Sequence, residues 1–176
     1  EIQEQVRKMI ELHLIQPSQT AERSQVVLAK KPDGSWRFCI DYRALNEATE
    51  SMGWPIPNIP EMLRRIGARR PKYFGVMDLT KGFSQAPLHE NSRKYTTFAT
   101  WLGNYEWLRV PMGIKGAPSW FQQMIGDVVL AGLIHNCCEL YIDDVIIYGE
   151  TLEEYLANLE KVLDRFLEHN IIVSPK

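Results

Sequence analysis

The chain has 176 residues, of which 45% are hydrophobic and 24% charged, with a net charge of −2. That suffices to bury a core, as one domain or as a piece of a larger protein, and it excludes a disordered or collagen-like chain. No apolar run reaches membrane-spanning length, the first residues lack a signal-peptide pattern, and bulk charge does not mark a nucleic-acid binder, so no membrane partner is expected and any polyanion surface must be local. Cys39, Cys137 and Cys138 are odd in number and lack metal-ligand spacing, which reads as buried thiols in a reducing compartment.

Ile2, Val6, Met9 and Ile10 share a helical face, and Pro17 is expected to close that segment. Val26 to Lys31 and Trp36 to Tyr42 then flank Pro32-Asp33-Gly34, a hairpin with good turn chemistry. Trp36, Phe38 and Ile40 take one face of its second strand, while Arg37, Cys39, Asp41 and Arg43 take the other. Lys30, Lys31 and Arg37 gather there, either as solvated edge charges or as cations able to grip a triphosphate. Gly53 to Pro60 reads as an extended loop. Asn58 and Glu61 then form a capping box for a short helix ended by Gly67. The basic run Arg64, Arg65, Arg69, Arg70 and Lys72 crosses that helix end, explained by helix-dipole placement as well as by phosphate contact.

Tyr73 to Leu79 is apolar until Asp78 and predicts a strand buried on both faces. Thr80 to Phe83 turns the chain away. Tyr95 to Trp101 and Tyr105 to Val110 flank Leu102-Gly103-Asn104, a second hairpin. Phe121, Met124, Ile125, Val128 and Val129 recur at helical spacing behind Pro118. Thr151 and Glu154 cap a long helix with Leu152, Tyr155, Leu156, Leu159, Val162, Leu163 and Phe166 on one face. The final residues, IIVSPK, begin another strand and stop, which reads as a fragment. The order predicts an α+β domain, a small antiparallel sheet backed by two helices with its acids exposed at one edge.

Asp143 and Asp144 stand between Leu140-Tyr141-Ile142 and Val145 to Tyr148, where they are expected to form the two-residue turn of a hairpin. Asp-Asp is a poor turn former and two adjacent like charges repel, so a divalent counter-ion suits them. A tetrapeptide of Tyr, an apolar residue and Asp-Asp, as in Tyr141 to Asp144, arises by chance in roughly one chain of this length in two hundred, so it needs a third carboxylate. Asp78, costly at the end of an apolar strand unless paired or metal-bound, supplies it. Acids on neighbouring strands suit two magnesium ions in in-line phosphoryl transfer, and no Walker loop or Cys/His cluster points elsewhere. Because adjacent strand residues face opposite ways, Asp143 is taken as the stronger ligand.

The phrases KKPDGSWRFCIDYRALN, VMDL, DLTKGFSQAPL, FATWLGNYEWLRVPMGIKGAP and YIDDVIIYG, in this order from about Ile15 to the last residue, resemble reverse transcriptases of gypsy-type LTR retrotransposons, with retroviral enzymes more distant. The resemblance implies a right-hand polymerase with fingers over roughly 15–72 and 89–110 and palm over roughly 73–88 and 111–176, without thumb, connection or ribonuclease H. It implies two Mg2+ ions on Asp78, Asp143 and Asp144, with Leu79 counted beside them. Arg37 with Lys31, or with Lys30 by ungapped matching, would hold the triphosphate. Phe83 would be the gate against a 2′-OH, Met112 and Gly113 would line the nucleotide pocket, and Tyr141 and Ile142 would meet template and primer. Implied partners are an RNA or DNA template with primer, dNTPs, and the thumb, ribonuclease H and integrase of a polyprotein. The implied setting is a cytoplasmic virus-like particle, with the nucleus as alternative. Met112 stands where retroviral enzymes carry Gln and gypsy-type ones usually Phe; Ser84, Ala86, Trp101 and Ala21 to Gln25 also depart from the pattern. A palm-type nucleotidyl cyclase, against which the lysine–arginine hairpin speaks, and a domesticated interaction module are the alternatives.

Overall fold

Strand runs rich in β-branched and aromatic residues, separated by capped helices, build the computed structural model, which describes residues 1–79 and 82–174. Thr80 and Lys81, where the chain was expected to turn away, and the last two residues of the expected final strand lie outside the described residues. In chain order come α1 (Ile2–Glu11), β1 (Ile15–Pro17), β2 (Ser24–Lys30), β3 (Trp36–Asp41), α2 (Arg43–Ala48), α3 (Ile59–Ala68), β4 (Tyr73–Leu79), α4 (Gly82–Gln85) and α5 (Glu90–Arg93). A 3-10 turn (Lys94–Thr96) leads to β5 (Phe98–Thr100) and β6 (Gly103–Trp107). Then follow α6 (Ala117–Gln123), a π-helical segment (Met124–Val129), β7 (Cys138–Tyr141), β8 (Asp144–Gly149), α7 (Leu152–Glu168) and β9 (Val173–Ser174). The described residues gather into two compact units, Glu1–Ser51 with Phe83–Ala117, and Met52–Gly82 with Pro118–Lys176. Residues 52–72 go with the second unit because α3 buries Met62 and Ile66 against Tyr148.

The first unit holds a sheet in the order β1-β6-β5-β2-β3. Only its β2–β5 neighbours run parallel, Ser24 opposite Phe98; the other pairs are antiparallel. The first helix stops at Glu11 instead of reaching Pro17, because Ile15 to Pro17 extend and pair with Trp107 to Tyr105. Pairing of Thr100 with Gly103 makes Trp101 and Leu102 the turn of the second hairpin, one residue earlier than expected. Phe98 is fully buried at the centre, its ring 5.6 Å from Phe38 and 6.0 Å from Tyr105 and Trp107, with Val6, Met9 and Ile15 packed around it. Burial of such a side chain contributes about 1.5–3 kcal/mol.

The second unit holds the antiparallel sheet β7-β8-β4-β9. Strand alternation puts Leu140, Val145, Met77, Ile147 and Gly75 on one face, and Tyr141, Asp144, Asp78, Ile146, Val76, Tyr148 and Phe74 on the other. The first face meets Gly126 of the π-helical segment, whose Cβ would lie 3.7 Å from Leu140, and Tyr155 of α7. The second is covered by α3, through Met62 and Ile66, over Tyr148 and Ile146. That first face is thus backed by two helical elements, the π-helical segment and α7, as expected, and α3 adds a cover on the other. This α3 cover does not bury the β4 column, where Phe74 and Val76 are 56% and 53% exposed, so β4 is not buried on both sides as expected.

Two helices depart from their apolar periodicity. The π-helical segment takes an extra residue per turn, so Phe121, Ile125 and Val129 are buried while Val128 turns outward. Along α7 the buried line is Asn158, Val162 and Phe166; Leu152, Leu156 and Leu163 lie outside it. Asn158 is buried because its Nδ2 donates to the Tyr148 carbonyl at 3.0 Å. Asn58 and Thr151 cap α3 and α7 as expected, each accepting from the backbone N–H three residues on.

Gly149 ends β8 where α7 begins, and a Cβ there would stand 2.8 Å from the Tyr155 Cα, a backbone atom that cannot swing aside. Gly149→Ala is expected to destabilise the chain by about 1–3 kcal/mol, read as a lower urea midpoint at unchanged slope.

Candidate active site

The site grows from one register. Tyr141 pairs with Asp144 across the β7–β8 hairpin, so the two-residue turn is Ile142-Asp143 and not Asp143-Asp144. Asp144 is then the first residue of β8, directly opposite Asp78 near the end of β4. Cβ atoms of such a cross-strand pair stand about 5 Å apart on one face. Asp143 sits in the turn beside them, its carbonyl accepting from the Leu79 N–H at 3.0 Å. All three acids are half-buried at a strand end, not exposed, and β4 lies inside the sheet between β8 and β9.

Among the described residues, the electrostatics of the site are dominated by like charge. Burial first, then repulsion from Asp144 and Asp78, holds the Asp143 carboxyl above its ordinary range. The donors are all hard carboxylate oxygens, which fit Mg2+ or a similar cation and not a thiophilic metal. Among the described residues no group of three or more His, Cys, Asp or Glu side chains closes into a metal cage. Mg2+ needs none, since it uses one or two carboxylates and completes its shell with water and phosphate.

Leu79 itself is fully buried and apolar, and Tyr141 packs on the Met62–Ile66–Tyr148 cluster. The remaining residues singled out belong to the first unit. Ala29 pairs with Arg37 and Lys30 with Trp36, so alternation carried one residue further puts Lys31 on the face of Arg37 and Lys30 on the opposite one. Lys31 also closes the turn, its N–H donating to the Ser35 carbonyl at 2.8 Å. Phe83 is half-buried in α4, and Met112 is 62% exposed. Gly113 adopts φ +94°, the left-handed region that favours glycine.

Several supporting residues escaped the sequence reading. Gln122, 7% exposed, accepts from the Ile142 N–H at 2.7 Å. Gly82 lets the chain approach closely; a Cβ there would lie 2.9 Å from the Phe121 ring and 3.5 Å from the Asp143 Cβ. Asn46 donates to the Gly113 carbonyl and accepts from the Lys115 N–H, both at 2.8 Å, holding that loop. The basic run proves partly internal. Arg65 makes a two-pronged pair with buried Glu139 at 3.0 and 3.1 Å, and His135 lies 3.0 Å from the same carboxylate. Burial would raise the Glu139 carboxyl, but these two partners outweigh it and hold the group below its ordinary range. Arg69 donates to the His135 carbonyl at 3.1 Å.

Residues 29–176 match the family model described as "Reverse transcriptase (RNA-dependent DNA polymerase)". The chain is 38% identical over 176 residues to the "Retrovirus-related Pol polyprotein from transposon 297" of Drosophila melanogaster, covering 97% of the chain and 16% of that polyprotein. Among solved structures, the foamy viral protease-reverse transcriptase in complex with RNA/DNA hybrid superposes with TM-score 0.84 at 27% identity, over 98% of this chain and 23% of that one. The "foamy viral protease-reverse transcriptase dRH in complex with ds DNA" gives TM-score 0.82 at 29% identity, over 98% of this chain and 30% of that one. The chain thus spans about a sixth of the transposon polyprotein it matches.

Because the folded state holds the Asp143 carboxyl high, its ionised form opposes folding. That penalty is present in full above the folded value and disappears below the ordinary value of 3.8. Asp143→Asn is therefore expected to raise the thermal midpoint at pH 7, with a gain that shrinks on acidification and is lost below that value; a midpoint difference independent of pH would contradict the assignment.

Proposed function

Since the chain belongs to the reverse transcriptase family, we propose that it is the core of an RNA-directed DNA polymerase of a gypsy-type LTR retroelement. It would add dNTPs to a primer 3′-OH on an RNA or DNA template, within a polyprotein that also carries thumb, ribonuclease H and integrase, in a cytoplasmic virus-like particle. The observation that carries this reading is the register that sets Asp78 opposite Asp144 with Asp143 in the turn between β7 and β8.

Enzymes of this family use divalent metal ions. Asp78, Asp143 and Asp144 are the residues that would hold two Mg2+ ions, which when bound lower the pKa of the attacking hydroxyl and neutralise charge on the triphosphate. The primer 3′-oxygen bonds to the α-phosphorus as the bridging oxygen to the β-phosphate leaves with pyrophosphate, and the hydroxyl proton passes to water. Arg37 and Lys31 supply the cations for the triphosphate, Arg37 through a two-pronged guanidinium and Lys31 as a point charge. Met112 and Gly113 line the nucleotide pocket in this reading. Phe83 presents an apolar edge to the sugar, where a 2′-OH would lose hydration.

Single-nucleotide primer extension by a polymerase carrying this chain tests the reading. Asp143→Asn keeps side-chain shape but removes one ligand charge, so a loss of about 100-fold or more in rate is expected; extension at the wild-type rate by the folded variant would refute the carboxylate assignment. Phe83→Ala is expected to raise ribonucleotide use relative to deoxyribonucleotide use by about tenfold, ~1.4 kcal/mol in relative barrier. Equal losses for both substrates would make Phe83 a packing residue.

A further inference from the structure

Ile142 is a β-branched residue at φ +56°, in the first central position of a two-residue hairpin turn. Turns with positive φ at that position and not at the next call for glycine there, and a β-branched side chain in that region is strained. The strain persists only where surrounding structure enforces it. Strand β7 is the edge of its sheet, so on its outer side the Leu140 carbonyl and the Ile142 N–H have no strand to pair with. Gln122 meets both groups from α6, accepting from the Ile142 N–H at 2.7 Å and donating to the Leu140 carbonyl at 3.4 Å. Its carboxamide thus takes the place of one residue of a missing neighbouring strand, bracketing Tyr141. The neighbouring Phe121 ring stands against Gly82, and Gly82 against the Asp143 Cβ, so α6 braces the turn on a second side.

We propose that Gln122 is a positioning residue, whose buried carboxamide holds Ile142 in its left-handed conformation and thereby aims the Asp143 carboxylate. The proposal rests on the polymerase reading for what Asp143 does, but the clamp itself stands on the turn. Without the clamp, a half-buried backbone donor loses its partner and Ile142 relaxes toward negative φ, which rotates the peptide leading into Asp143.

The test uses the 176-residue chain with three variants: Gln122→Met, which keeps length but neither hydrogen bond; Ile142→Gly, for which positive φ is unstrained; and the two combined. NMR backbone shifts and amide exchange at Ile142 read the turn, and Mn2+ titration reads the carboxylates. In Gln122→Met, Ile142 is expected to leave positive φ and exchange faster, and Mn2+ affinity to fall about tenfold, equivalent to ~1.4 kcal/mol. Adding Ile142→Gly is expected to restore both, a rescue that mere packing by Gln122 would not give. Ile142→Gly alone, which tests the strain without touching Gln122, is expected to raise the thermal midpoint. An unchanged Ile142 conformation in Gln122→Met, or failure of the glycine to rescue it, overturns the proposal. Should the wild type itself bind no Mn2+, the metal reading of the acids falls, while the Ile142 conformation still decides the clamp.

Discussion

Three carboxylates held half-buried at one strand end repel one another, and the rest of the second unit is arranged so that the fold tolerates them. The constraint is set by one antiparallel register. Shift β8 by one residue against β4 and Asp144 leaves the face of Asp78, while every apolar residue of β8 turns to the wrong side. The buried row Val145, Ile147 and Gly149 therefore pins the acids as firmly as any contact among the acids themselves. Packing at one end of the strand fixes chemistry at the other.

The same economy appears in the polar groups. Glu139 is buried on β7 only because Arg65 and His135 reach it, and removal of one partner from a buried pair generally costs about 3–5 kcal/mol. Arg69 adds a bond to the His135 carbonyl, so two residues of the basic run hold α3 to the segment leading into β7. The Arg65 charge is thus matched inside the unit by Glu139. The lysine–arginine hairpin differs: Arg37 and Lys30 are exposed, and Lys31 is only half-buried.

Much of this was legible in the sequence because local rules and the fold agree. Pro-Asp-Gly, the Asn58 and Thr151 caps and the alternating runs all stand where strand and helix physics put them. The acids could be picked out because a charge ending an apolar strand needs a reason. What was misread depended on partners distant in sequence. Asp-Asp was placed at the turn because it separates two apolar runs, yet the turn is Ile142-Asp143, and Gln122, 20 positions earlier, bonds the Ile142 N–H there. Gln122 was passed over because apolar periodicity assigns a glutamine to the solvent face. Val128 was misassigned because a π-helical segment has no apolar signature of its own. That α3 packs into the second unit did not follow from composition, since it does so through two side chains, Met62 and Ile66.

The central claim is that Asp78, Asp143 and Asp144 form one divalent-cation site. Iron-mediated cleavage addresses it directly: Fe2+ bound in place of Mg2+, with ascorbate and peroxide, cuts backbone within reach of the ion. The account predicts cuts at Asp78–Leu79 and at Ile142–Asp144, suppressed together by excess Mg2+ and absent in Asp143→Asn. Cuts confined to other segments, or cleavage at these two that Asp143→Asn leaves intact, would contradict it.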